Sequence, residues 1–180
     1  EHSIINELKN SIEQGPEIGA VNPIIANYSN PKSYYFYGTK IDRGNGDLCS
    51  QYPKEYVEQK KGLLDIDFAT WCAVFIRKEA IQKTGLLDEQ FFAYYEDTDW
   101  SIRCKKSGMK TFLYPTVLVY HKVSKSTGGN FSPGVYFYLF RNRLIFMRKN
   151  ANIIRKFQFS INYINDSAGT YVRLLKSGAR

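Results

Sequence analysis

The stretch GLLDEQFFAYYEDTDWSIRCKKSGMKTFLYPTVLVYH, residues 85–121, decides how this chain is read. Gly85 closes a short helix expected over residues 78–84. An apolar, aromatic run over 91–95 then passes directly into the acidic group Glu96, Asp97 and Asp99. A helix is expected from about Thr98 to Ser107, with Asp97 or Thr98 as its N-cap and Gly108 as its C-terminal stop. Residues 110–121 are rich in β-branched and aromatic side chains and read as a strand, in which Pro115 demands an edge or a break.

On the N-terminal side, Ile4, Ile5, Leu8 and Ile12 recur at helical spacing between Ser3, a fitting N-cap, and the stop Gly15-Pro16. IGAVNPIIA, residues 18–26, reads as a strand with a kink or an edge position at Asn22-Pro23. From there to about residue 60, Asn30-Pro31, Gly44-Asn45-Gly46-Asp47 and Tyr52-Pro53 surround an aromatic run, 34–37. This predicts a hairpin-like excursion with long loops, where specificity often resides. Residues 63–68 and 71–77 are strand material. Beyond a polar loop, Ser124 to Asn130, two helices follow. Phe137, Phe140, Leu144 and Met147 are expected on one face of the first, and Ile153, Ile154, Phe157, Ile161 and Ile164 on one face of the second.

At 180 residues, 43% of them hydrophobic and 16% aromatic, the chain can build a core, and intrinsic disorder is excluded. The net charge of +8 would by itself point to nucleic acid or an anionic membrane. Its distribution changes that reading. Residues 1–140 hold 16 basic and 16 acidic side chains, whereas residues 141–180 hold nine basic and one acidic, Asp166. The basic residues alternate with Phe, Tyr, Ile and Leu, which suits an interfacial helix on an anionic membrane surface; the alternative is a helix packed on its own domain. No nucleic-acid-recognition signature accompanies the charge. Cys49, Cys72 and Cys104 are odd in number and form no C-x-x-C pair, so neither a disulfide framework nor a zinc knuckle is indicated, and a cytoplasmic setting fits. No apolar run approaches the roughly 18 residues that cross a bilayer, and the start shows no signal-peptide pattern.

Glu96, Asp97 and Asp99 lie within four residues, behind aromatic walls. Carboxylates this close raise one another's pKa, and one placed beside aromatic rings at a helix start is suited to general-base work. Equally, acidic residues are favoured in any first helical turn. His121, at a strand exit, is placed either as a structural residue or to meet a metal or phosphate. Lys122, Lys125 and the glycine loop after them could wrap a diphosphate or form an ordinary surface loop.

The strings DIDFATWCAVFIRKEAI (65–81), the stretch 85–122 and YLFRNRLIFMRK (138–149) together resemble the C-terminal half of family-2 glycosyltransferases, with the rhamnosyltransferase-like members that build bacterial surface polysaccharides looking nearest. The resemblance covers about residues 15–150. It implies an α/β, partial GT-A fold: a mixed sheet flanked by helices, with a C-terminal helical extension. Residues 1–130 would be the acceptor-side half of the catalytic domain and residues 131–180 the basic C-terminal helices.

The implied activity is inverting transfer of a sugar from a nucleotide-sugar donor to a glycan or lipid-linked acceptor, with Asp97 as base. His121 would contact a divalent metal, Mg or Mn. The loop from Lys122 through Lys125 to Gly129 would cover the diphosphate. Asp99 and Trp100 would shape the acceptor side beside Glu96, Trp71 would line or narrow the sugar pocket, and Arg141 would contact the diphosphate or serve structure. The family's nucleotide-binding half, with the Asp-x-Asp metal motif it carries, is absent here. This implies about a hundred further N-terminal residues, some three βαβ units, and an inactive fragment without them. Two other readings are a non-catalytic basic module that docks on a membrane or a partner, and a glycoside hydrolase using Glu96. Adjacent carboxylates are poorly arranged to flank one bond, so the hydrolase ranks last.

Overall fold

A computed structural model describes residues 3–42, 47–122 and 133–176. The first helix, α1 (Ile4–Ile12), leads into β1 (Ile18–Asn27), almost every residue of which is buried. A strand buried on both faces belongs inside a sheet. β1 indeed runs parallel to β7 (Lys110–His121) on one side. On the other it pairs antiparallel with β2 (Asn30–Phe36) near its C-terminal end and with β6 (Phe75–Ile76) near its N-terminal end. β5 (Leu64–Ile66) is antiparallel to the far side of β7, so the order is β2-β1-β7-β5.

Of the two outcomes expected at Asn22-Pro23 the kink holds and the edge does not. The register of β1 with β7 jumps between Pro23↔Tyr114 and Ile24↔Leu118. Pro23 and Pro115 thus fall at one break in the ladder, where neither proline's missing N–H interrupts a regular bond pattern. A second hairpin, β3 (Thr39–Asp42) and β4 (Asp47–Gln51), realises the predicted excursion. The short helix α2 (Lys54–Glu58) that follows it has no hydrophobic period long enough to be read.

Helices cover both faces of this mixed α/β sheet. Leu8 and Ile12 of α1 meet Ile18, Val21, Phe112 and Tyr114 on one face. On the other, α3 (Lys78–Thr84) and α4 (Glu96–Lys106) bring Ala80, Trp100 and Cys104 against Ala20 and Met109. The approach of α4 to β1 requires Gly19: a Cβ there would lie 2.8 Å from Cys104 Sγ. Leu113 points to this side as well, into the largest cluster, with Ile25, Phe68, Phe91, Phe146 and Phe159.

The C-terminal helical part is α5 (Pro133–Asn150) and α6 (Ile153–Lys176). The face expected on α5 is inside at Met147 and half-buried at Phe140, but not at its other two positions. Phe137 and Leu144 are exposed, while Val135, Asn142, Arg143, Phe146 and Met147 are inside. The helix turns two polar residues inward because both find partners there. Asn142 reaches loop carbonyls, and Arg143 reaches Asp166 at 3.1 Å and lies over the Phe159 ring. The apolar stripe of α6 exists as expected, but it faces outward.

Candidate active site

Asp97 is set by two segments. One is the loop 91–95, where Phe92, Tyr94 and Tyr95 all hold left-handed backbone, φ 62°, 67° and 72°. Each such residue costs about 1–3 kcal/mol, so three in four positions persist only where something else holds them. That holder is Asn142 of α5. Wholly buried, its Nδ2 donates to the carbonyls of Phe91, Ala93 and Tyr94 at 2.6–2.8 Å, and its Oδ1 accepts from Arg141. α4 therefore starts at Glu96 with Tyr95 as N-cap, two residues earlier than expected, and neither Asp97 nor Thr98 is the cap.

The second segment is the turn 69–73 between β5 and β6. Asn22, buried in β1, clamps it by donating to Thr70 and Ala73 carbonyls at 2.8 and 2.6 Å. The turn is stitched to α4 twice: Ala69 N–H donates to Ser101 Oγ, and Trp71 N–H donates to Asp97 Oδ2 at 3.3 Å. Asp97 Oδ1 accepts from Thr98 N–H at 2.8 Å. The carboxyl is thus fixed in place by two backbone donors.

Its electrostatics run the other way. Burial, reinforced by the neighbouring Glu96 charge, pushes the Asp97 carboxyl up to about 7, overcoming those two donors. Glu96 is likewise raised by burial, and its Oε2 is buried without a partner. Two more polar atoms are buried without a partner among the described residues, Trp71 Nε1 and His121 Nδ1. Native interiors rarely leave such atoms unsatisfied, which together with the perturbed Asp97 carboxyl makes this the candidate site.

Tyr35 of β2 joins these parts. Its ring meets His121 edge-on at 5.0 Å, and its phenol is raised by burial and then by Cys72, Asp97 and Tyr94. Trp71 stands on Trp100, ring centroids 5.4 Å apart.

Trp71 and Glu96 therefore adjoin Asp97, and Tyr35 links this group to His121. Asp99 and Trp100, expected on the acceptor side, do not join it: both are 0% exposed. Asp99 sits on the inner side of α4 and binds Arg103 at 2.8 Å, Lys149 at 3.0 Å and Asn150 at 3.1 Å, tying α4 to α5. Trp100 donates Nε1–H to the Gly85 carbonyl and serves as the floor under Trp71. Of the two roles open to Arg141, its contacts are structural, with Gln90 carbonyl and Asn142. Lys122 lies over the Tyr28 ring at the C-terminal end of the sheet, and Lys125 falls outside the described residues.

For a divalent metal, His121 contributes one nitrogen. Among the described residues no group of three His, Cys, Asp or Glu side chains gathers, so these residues do not by themselves make a metal centre. A cavity of about 230 Å³ opens at the other end of α4, lined by Ile102, Lys105, Phe146 and Arg155 but by none of the candidate residues. Its polar groups already pair with one another, Lys105 with Asp67 and Lys106 with Asn150.

Asn22, Tyr35 and Asn142 were missed from sequence. The available signal was an asparagine inside an otherwise apolar strand or helix, where only a specific partner makes burial tolerable.

No family model matches the chain. A dTDP-rhamnosyl transferase, RfbF of Shigella flexneri, is 32% identical over 82 residues. The chain is similar to a rhamnosyltransferase. The match covers 42% of this chain and 28% of that protein's length, so the chain aligns with well under two thirds of its relative. Similarity of this extent supports a glycosyltransferase-like region.

Proposed function

We propose that this chain is the acceptor-side part of an inverting family-2, GT-A glycosyltransferase of surface polysaccharide synthesis, with Asp97 as the general base. The observation that carries this reading is the Asp97 carboxyl: fixed by two backbone donors, raised to about 7, and adjoined by Glu96 and Trp71, whose buried polar atoms lack partners among the described residues. A base near neutrality is half deprotonated at working pH yet strong enough to accept a proton in the transition state.

In the proposed step an acceptor hydroxyl approaches Asp97. Its oxygen bonds to the anomeric carbon as its proton passes to the carboxylate. The bond from that carbon to the nucleoside diphosphate breaks, and the electron pair leaves on the phosphate oxygen. One displacement inverts the anomeric centre and needs no covalent partner on the protein. Glu96 Oε2 and Trp71 Nε1, buried without partners among the described residues, would take and give hydrogen bonds to sugar hydroxyls only once the site opens to admit them. Trp71, braced by Trp100, forms an aromatic wall for the acceptor. A metal contact at His121 stays part of the proposal only with ligands from outside the described residues, and the proton transfer to Asp97 does not depend on it. Residues 1–130 would then be catalytic domain and 131–180 the C-terminal helices.

The test uses the longer protein that contains this chain. The relative's name makes dTDP-linked rhamnose the first donor to try, with nucleotide release measured against added glycan or lipid-linked acceptors. Asp97→Asn should lower turnover by about 10²–10⁴-fold without loss of fold. Near-normal turnover of the variant at unchanged stability would remove Asp97 from the mechanism.

A further inference from the structure

The cavity of about 230 Å³ at the C-terminal end of α4 takes no part in the site around Asp97. Five segments meet around it. Ile41 comes from β3, Asp67 from the residue after β5, Lys105 and Lys106 from the last turn of α4, Phe146 from α5 and Arg155 from the first turn of α6. Its lining joins two kinds of surface. Ile102, Met147 and Ala151 extend the apolar part, while the charged groups are three cations and a single carboxylate, an excess of two positive charges.

How those charges are answered decides what the space can hold. Asp67 is taken by Lys105 at 3.0 Å. Lys106 meets only a neutral oxygen, Asn150 Oδ1, at 3.2 Å. Arg155 is half-buried, and its guanidinium has no hydrogen bond or ion pair among the described residues. Asp99, which Asn150 links to this wall at 3.1 Å, is already held by Arg103 and Lys149. A guanidinium partly desolvated among apolar side chains calls for an anion, and its planar fork fits the oxygens of a phosphate or a carboxylate.

Size and charge narrow the occupant. The volume lies just below the range of about 300–1,000 Å³ that takes drug-sized ligands, so the molecule is small. An inorganic anion would leave the apolar surface unused, and a neutral apolar molecule would cover Lys106 and Arg155 without answering them. A phosphate monoester carries about −1.5 to −2 at neutral pH and matches the excess of two; a carboxylate supplies half of that.

We infer that this cavity binds a small organic phosphate monoester, the phosphate on Lys106 and Arg155 and the apolar body against Ile102, Phe146 and Met147. Such a ligand bridges the end of α4 to the start of α6, a helix otherwise joined through Phe159, Tyr163 and the Arg143–Asp166 pair. The inference uses none of the residues assigned to transfer and stands apart from that reading.

The test is calorimetric titration of the 180-residue chain at about 0.05 M salt with phenyl phosphate, inorganic phosphate, benzoate and phenol. Phenyl phosphate should bind one to one and about tenfold or more tighter than each of the others. Arg155→Gln should weaken it about tenfold or more with an unchanged circular dichroism spectrum. Ala151→Leu, which puts a larger side chain into the cavity, should weaken phenyl phosphate in the same way with all charges kept. Bound phenyl phosphate should also slow amide hydrogen exchange at the start of α6, around Arg155. Absence of binding, equal affinity for inorganic phosphate, benzoate or phenol, or affinity indifferent to both Arg155→Gln and Ala151→Leu overturns the inference.

Discussion

A carboxyl that titrates near neutrality is a better base than one at the ordinary carboxylate value, and burial beside Glu96 is what moves Asp97 there. The same shift has a cost in stability with a definite sign. The folded-state value, about 7, lies above the unfolded value near 3.8, so the folded protein holds the proton more tightly. Stability therefore falls as pH rises between those values and is flat above 7. Asp97→Asn removes the charge but keeps an acceptor oxygen for only one of the Thr98 and Trp71 donors, so relative to wild type its stability should rise by about 1–2 kcal/mol between pH 4 and pH 8. Urea denaturation of both proteins across pH measures this. On the proposed mechanism, turnover should rise with pH to a midpoint of about 7, because the deprotonated carboxyl would be the base. A flat profile between pH 5 and 8 would place the base elsewhere.

Elements position this residue through two buried asparagines. Asn142 carries the greater load, since three left-handed residues rely on its single amide. Asn142→Ala should cost about 2–4 kcal/mol by denaturant titration and lower turnover as well, because the start of α4 loses its constraint. Asp99 makes the opposite case. Its carboxylate joins Arg103 and Lys149 between α4 and α5, two cations that are themselves partly exposed. Asp99→Asn should cost about 2 kcal/mol, discounted for that exposure, with turnover per folded molecule close to normal. A large loss of turnover at full stability would return Asp99 to the acceptor side.

At the scale of the whole molecule, order should decline from the sheet outward. β1 and β7 are inner strands with cores on both faces, whereas α6 is joined by Phe159, Tyr163 and one ion pair. Amide hydrogen exchange should be slowest at Val21, Ile25 and Leu113 and fastest through α6. Much of this fold could be read residue by residue. The helix 78–84 closed by Gly85 and the strand 110–121 match the structure residue for residue, because periodicity and local stop signals suffice to define them. The acidic cluster behind aromatic walls, with His121 at a strand end, was equally visible. Other features required partners distant in sequence. β1 became a central strand because β7 shares its proline break, and α4 began early because Asn142, some 45 residues on, holds the loop before it. Asp97 and Asp99 are two residues apart and chemically alike. Sequence alone determined that a carboxylate pair opens this helix; tertiary packing decided which one meets the Trp71 turn and which one is spent on ion pairs, since a helix turns about 200° over two residues and sends them to opposite sides.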